Sequence, residues 1–193
     1  MTEHSTFAII LAAGESKRFG STKQLAEYEG APLVQRAVRL AEAVCGDHSV
    51  LVTGNDWQRV LAACGPQRGF FVRNDKYASG MASSIACGVK SVAHCADAVL
   101  LLMADQALIT EDHLTSLIHA WHKAPRGIVA SEYSRVQGPP VIFPARCFDS
   151  LMNLEGDQGA RALLNDSACS VTGIQFDAGE VDIDTPEDMA RLR

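Results

Sequence analysis

The sequence predicts an α/β fold, a Rossmann-like three-layer sandwich around a mostly parallel sheet. Two observations predict it. Short apolar runs, each closed by a turn residue or an aspartate, recur along the first two-thirds of the chain. Segments with helical patterning separate them, so strand and helix alternate. Uninterrupted apolar runs of this length suit strands covered on both faces. Their alternation with helices is the mark of layered α/β folds.

In chain order, Phe7 to Ala12 forms the first predicted strand and ends in Ala13-Gly14. Pro32 opens a helix over Leu33 to Cys45, since proline suits a helix start. Ser49 to Thr53 is the second strand, and Asp56 to Cys64 a shorter helix. Gly69 to Val72 is the third strand, and Met81 to Ala93 the next helix. Ala98 to Ala104 is the fourth strand, stopped by Asp105. Thr110 then caps a helix from Glu111 to His122, with Glu111 and Asp112 in the turn where the helix dipole favours acids. Beyond this the pattern is less regular. Gly127 to Tyr133 and Val141 to Phe143 read as strands separated by Gln137-Gly138-Pro139-Pro140. Phe148 to Leu154 and Gly159 to Asn165 read as helices, Val171 to Phe176 and Val181 to Ile183 as short strands. Thr185 caps a last helix from Pro186 to Leu192.

With 193 residues, the chain is expected to form a single domain spanning residues 1 to 193. Hydrophobic residues make up 47% and charged residues 21%, enough to build a core. The net charge of −6 argues against a partner that is a nucleic acid, which asks for a basic face. The first residues, MTEHST, lack the basic and apolar regions of a signal peptide, and the longest apolar run is too short for a membrane span. The expected location is the cytoplasm. None of the six cysteines forms a CxxC pair, so they read as small buried hydrophobes in a reducing compartment. His119 and His122 lie on one predicted helix, but no third metal ligand at suitable spacing accompanies them.

The segment from Leu11 to Lys23, LAAGESKRFGSTK, carries the strongest chemical signal. Ala12, Ala13 and Gly14 leave the backbone open to close approach. Gly14 and Gly20 can take dihedrals that other residues avoid, and successive N–H groups in such a turn attract anions. Lys17, Arg18 and Lys23 add positive charge. The loop follows the first strand, where open α/β sheets bind ligands. It contains neither GxxxxGK[ST] nor GxGxxG, so neither a P-loop ATPase nor a dinucleotide fold is indicated. By composition alone, a solvated loop rich in Gly and Lys stays open as an alternative.

Four features in order, LAAGESKRFGSTKQL, GMASSIACGV, LLMADQALI with GPPVIF and GDQGARALL, and VDIDTPEDM, extend from Leu11 to Met189. Together they resemble the MobA-like nucleoside triphosphate transferase family, which includes sugar-nucleotide pyrophosphorylases and molybdenum cofactor nucleotidyltransferases. Within it the sequence is most similar to the molybdenum cofactor cytidylyltransferase branch. The resemblance implies a nucleotide site made by Leu11, Ala12, Ala13, Gly14, Arg18, Lys23, Ser84 and Asp105. Arg18 and Lys23 would hold the triphosphate, Ser84 would help read the pyrimidine, and Lys23, Arg18 and Asp105 form the implied catalytic set. Mg²⁺ is the implied cofactor, held by Asp105 and Asp184, with Asp182 as the alternative to Asp184. Asp157 and Arg161 would face the acceptor, although an ion pair between them accounts for their spacing equally well. Ala13 resembles the CTP-using branch, where the GTP-using branch typically carries glycine.

The sequence departs from the family where Ala104-Asp105-Gln106-Ala107 replaces the common GDQP, and where Pro139 stands at a position that is often polar. The implied reaction transfers CMP from CTP to the terminal phosphate of a molybdopterin-type acceptor and releases pyrophosphate. A molybdoenzyme or its chaperone is the implied protein partner. The alternatives are another nucleoside triphosphate with a sugar or polyol phosphate, and a cofactor-binding chaperone without catalysis. In-line displacement at phosphorus depends mainly on positioning and charge neutralisation. That is why two cations and a carboxylate at strand ends suit it.

Overall fold

A computed structural model describes residues 4–16, 18–157, 159–164, 170–180, 183 and 185–191. The strands are β1 (Thr6–Ala12), β2 (Glu27–Tyr28), β3 (Ala31–Pro32), β4 (Ser49–Thr53), β5 (Phe70–Arg73), β6 (Ala98–Met103), β7 (Ile128–Tyr133), β8 (Val136–Pro144) and β9 (Val171–Gln175). The α-helices are α1 (Leu33–Cys45), α2 (Trp57–Cys64), α3 (Met81–Val92), α4 (Glu111–Lys123), α5 (Phe148–Met152), α6 (Arg161–Leu164) and α7 (Pro186–Arg191). A seven-stranded sheet runs in the order β5-β4-β1-β6-β8-β7-β9. Within it only β8 is reversed, since β6 and β7 both pair with it antiparallel and the other pairs are parallel. This is the mostly parallel, layered sheet that the alternating pattern predicts.

Strand β1 shows why the runs are apolar throughout. Phe7, Ile9 and Leu11 pack on one face with Ile85 and Val89 of α3 and Phe148 and Leu151 of α5. Ala8, Ile10 and Ala12 pack on the other face with Val34 and Val38 of α1, Val60 of α2, and Leu114, Leu117 and Trp121 of α4. A strand with two buried faces has no solvent side, so alternation disappears. Gly88 lets α3 lie close to the sheet, because a Cβ there would stand 2.6 Å from Ile9 Cγ2. His119 and His122 fall on the exposed side of α4.

Two predicted helix caps are present. Thr110 Oγ1 accepts from the backbone N–H of His113 at 3.2 Å. Thr185 Oγ1 accepts from the N–H of Asp188 at 3.2 Å, while Asp188 Oδ2 accepts from the N–H of Thr185 at 2.9 Å, a reciprocal capping box. The small β2–β3 hairpin was invisible in the sequence because two-residue strands carry no period. The predicted strand over Val181 to Ile183 is not found at Ile183, which is buried outside any strand; residues 181 and 182 lie outside the described residues.

The predicted break between two strands at residues 137–140 is instead the interior of β8. Pairing with β7 shifts register between Ala130 and Ser131, so Pro139 and Pro140 fall at the irregularity. Pairing of β8 with β6 begins only at Val141. Neither proline is therefore asked for a ladder N–H. Their peptide bond is cis. Gln106 Nε2 donates to the Pro139 carbonyl at 3.0 Å, and Ser131 Oγ donates to the Pro140 carbonyl at 2.9 Å.

Ser131 is held in turn by His113, whose Nε2 lies 2.7 Å from its Oγ. The serine hydrogen is committed to Pro140, so His113 donates to Ser131 from Nε2. The ring stacks on Phe176 at 4.1 Å and is buried. Burial lowers its pKa from 6.5 to about 4. The unfolded chain therefore binds a proton that the folded chain refuses as pH falls through this window. Stability from this site is fully present above about pH 6.5 and is lost progressively down to about pH 4. The expected size is roughly 3 kcal/mol. Urea titrations of the wild type and His113→Gln at pH 7 and pH 4 check it. The wild type should lose that much more than the variant on acidification, and parallel losses would remove His113 from the acid response.

Candidate active site

A cleft of about 430 Å³ opens beside the carboxyl ends of β1 and β6. Its first wall is the loop after β1. The Ala13 carbonyl accepts from the N–H of Asn55 at 3.3 Å, and the Gly14 carbonyl accepts from Gln24 Nε2 at 3.1 Å. Ser16 takes a left-handed backbone with φ of 54°. Its hydroxyl donates to Gln24 Oε1 and accepts from the N–H of Lys23, each at 3.1 Å. Gln24, itself buried, thus pins the loop from below and turns Lys23 into the cleft.

Lys23 Nζ meets Asp105 Oδ2 at 2.5 Å, with the two side chains 12% and 19% exposed. Asp105 follows the end of β6, where the N–H of Ala104 bonds to the Leu11 carbonyl at 3.1 Å and brings the two strand ends together. The ion pair shows that the Asp105 carboxylate is directed at a cation position within the cleft. Mg²⁺ favours one or two carboxylates completed by phosphate oxygens and water. Asp105 fits that donor set. Among the described residues no group of three or more His, Cys, Asp or Glu could hold a metal. Asp184 and Asp182 lie outside the described residues. Ile183, between them, is buried with Leu33, Ala107 and Met189, beside the turn that follows Asp105.

The opposite wall is the start of α3. Ser84 Oγ accepts from Asn74 Nδ2 at 3.0 Å. Asn74 is oriented by the N–H of Lys76, which bonds its Oδ1 at 2.9 Å. Ser84 faces the cleft with its oxygen held and its own O–H able to donate to a ligand. Gly80 precedes the helix at φ 110° and ψ 172°, and the Gly156 carbonyl accepts from the N–H of Ala82 at 3.1 Å. This contact straps the 156–157 turn to the helix start.

A second cleft of about 340 Å³ adjoins the first and shares Leu11, Arg18, Met81, Met103, Asp105 and Asp157 with it. Its inner wall is apolar, with Ile85, Leu101, Val141, Phe143 and Leu164, and Arg161, Gln106 and Tyr133 add polar groups. Leu11, Ala13, Gly14, Arg18, Lys23, Ser84 and Asp105 thus gather at the first cleft, and Asp157 and Arg161 at the second. Ala12 is buried among the side chains of α1 and does not line either cleft. Lys17 lies outside the described residues. Sequence reasoning missed Gln24, Asn74, Gln106 and Tyr133. Gln24 and Gln106 each sit one residue beyond a predicted site residue, and that adjacency was the available signal.

Among the described residues no cysteine lines either cleft, and Cys169 lies outside the described residues. Burial pushes the thiols of Cys45 and Cys64 up to about 12 and about 11, and Cys87 is also raised. The expectation of buried cysteines holds for Cys64 and Cys147, whereas Cys95 is exposed.

Residues 8–171 match the sequence model of the MobA-like NTP transferase domain. The purine catabolism protein PucB of Bacillus subtilis is 29% identical over 96% of this chain and 94% of its own length. The molybdenum cofactor cytidylyltransferase of Escherichia coli is 26% identical over 93% of this chain and 91% of its own. Among solved structures, a protein of Mycobacterium sp. strain JC1, described as a homologue of Mycobacterium tuberculosis Rv0371c, superposes with a TM-score of 0.85. It is 27% identical, over 98% of this chain and 96% of that one.

Proposed function

The chain belongs to the MobA-like NTP transferase family and is a nucleotidyltransferase, and on that premise we propose that it transfers CMP from CTP to the terminal phosphate of a molybdopterin-type acceptor. The observation that carries this reading is the pair of adjoining clefts meeting at Arg18, Asp105 and Asp157. A triphosphate in the first cleft and an acceptor in the second would bring the two reacting phosphates together at that junction. Similarity to the E. coli cytidylyltransferase along nearly the whole chain supports the choice of acceptor and of CTP. The apolar wall of the second cleft supports it independently. On that wall a sugar phosphate would set hydroxyls against Ile85, Leu101 and Leu164, which cannot bond them, leaving Asp157, Arg161 and Tyr133 to meet the rest.

In the proposed reaction an oxygen of the acceptor phosphate attacks the α-phosphorus, the bond to the bridging oxygen breaks, and pyrophosphate leaves. Arg18, with its planar fork, would bridge two phosphate oxygens, and Lys23 would neutralise charge as a mobile point cation. Ser84 would donate to the base. Asp105, with Asp184, would hold Mg²⁺, which supplies charge neutralisation for the phosphates when bound. Lys23 occupies the carboxylate in the free protein, so it would exchange Asp105 for phosphate oxygens when the nucleotide arrives.

Pyrophosphate release with each of the four common nucleoside triphosphates, Mg²⁺ and a panel of acceptors tests this. Release with CTP that depends on molybdopterin is the expected result. Release that depends on a sugar or polyol phosphate instead would sink the acceptor assignment.

A further inference from the structure

Strand β5 closes one edge of the sheet, pairing with β4 on one side and, among the described residues, with no strand on the other. Two of its residues are large exposed hydrophobics, Phe70 at 41% and Phe71 at 46%. Successive strand residues point to opposite faces, so both faces of the edge are uncovered there. The backbone is open as well. The N–H of Asn74 bonds the Thr53 carbonyl at 2.8 Å. In a parallel ladder the residues bonded to one neighbour alternate with those facing away. Phe70 and Val72 therefore bond β4, while the N–H and C=O of Phe71 point outward. Folded proteins guard such edges with proline, lysine, a bulge or a covering element. The segment FFVR holds neither proline nor lysine, and its register with β4 is unbroken. Its one charge, Arg73, is paired with Asp75 and laid over the Trp57 ring at 5.6 Å.

We propose that β5 is a dimerisation edge, pairing antiparallel with β5 of a second copy of this chain about a two-fold axis at Phe71. The strand complements itself in that register. Phe71 of each copy stands opposite Phe71 of the other, and Phe70 of each stands opposite Val72, so all three apolar residues meet apolar residues. The outward N–H and C=O of Phe71 bond their equivalents. Moving the axis one residue along, to Val72, would set Phe71 against Arg73 and Phe70 against Asn74, and the match is lost. Beyond the paired segment, exposed Arg68 of one copy approaches exposed Asp75 of the other, so the ends meet with opposite charge. The contact uses β5 of both copies, so the assembly closes at two. A strand this short offers less than a standard interface, and the dissociation constant should lie at roughly 1 to 100 μM.

Sedimentation velocity of the full chain at concentrations from about 1 μM to about 500 μM covers that range. The expected result is a concentration-dependent shift from monomer to dimer with no larger species. Phe71→Lys and Phe71→Glu each set like charges against one another at the axis, and each variant alone should stay monomeric throughout. An equimolar mixture of the two should dimerise again, because lysine then faces glutamate. Rescue by opposite charges at a single position requires that the position meets itself across the interface. A wild type that stays monomeric at the highest concentration would overturn the proposal. So would a dimer that survives in both variants, or a mixture that stays monomeric where the wild type dimerises. Hydrogen exchange of the wild type gives a second measurement that needs no variant. Protection of the Phe71 amide should rise with protein concentration, and protection independent of concentration would place any dimer contact elsewhere and overturn the assignment of β5.

Discussion

Asp105→Asn is expected to lower kcat about a thousandfold while leaving the unfolding midpoint nearly unchanged. The carboxylate faces the cleft and carries an ion pair with Lys23 at 2.5 Å. Asparagine keeps the shape and a neutral acceptor for the lysine, so the fold loses only the charge-assisted part of one bond, about 1 kcal/mol. Catalysis loses more. The negative charge that would hold Mg²⁺ at the junction of the clefts is gone, and so is the partner that presents Lys23. Removing one preorganised electrostatic element at a reacting centre costs two to three orders of magnitude in rate, and here two elements are coupled through one carboxylate. Steady-state kinetics alongside urea titration separates the two effects. Turnover within about tenfold of wild type, a hundredth of the loss expected from this mechanism, would remove Asp105 from it. Loss of folding would show that the pair is structural.

The fold was legible because its strands are covered on both faces. Ile9 and Ile10 must both be apolar when α3 lies over one and α1 over the other, and that requirement writes continuous runs into the chain. The first cleft was legible for a related reason: loop and aspartate both follow such runs directly, so the topology places them side by side. The second cleft was less so. Its walls come from β8, whose prolines look like a strand break until the register shift absorbs them, and from the turn before α6. Gln106 and Tyr133 carry ordinary residue types, and only their neighbours across the sheet give them meaning. Asn74 acts through Ser84, a relation between residues on different elements that spacing cannot convey.

Gly80→Ala is the substitution expected to damage both halves of the site at once. At φ 110° and ψ 172° the backbone occupies a region essentially reserved for glycine, worth about 1 to 3 kcal/mol for any other residue. The added Cβ would also stand 2.5 Å from the Gly156 carbonyl oxygen and 2.6 Å from Asp157 Oδ1. The first of these is backbone and cannot swing aside. The 156–157 turn must then separate from the start of α3, and the bond from the N–H of Ala82 to Gly156 is lost with it. The combined loss of stability is about 3 kcal/mol. The kinetic consequence follows from which walls move. Met81 and Asp157 border both clefts, and Ser84 borders the first, the one proposed for the nucleotide. KM should therefore rise for nucleotide and acceptor together. Ser84→Ala provides the contrast, since it removes one hydroxyl from the first cleft and should raise KM for the nucleotide alone. Separate saturation curves for each substrate distinguish the two variants. A Gly80→Ala protein with both KM values near wild type would show that the strap between α3 and the 156–157 turn is not what sets the spacing of the two clefts.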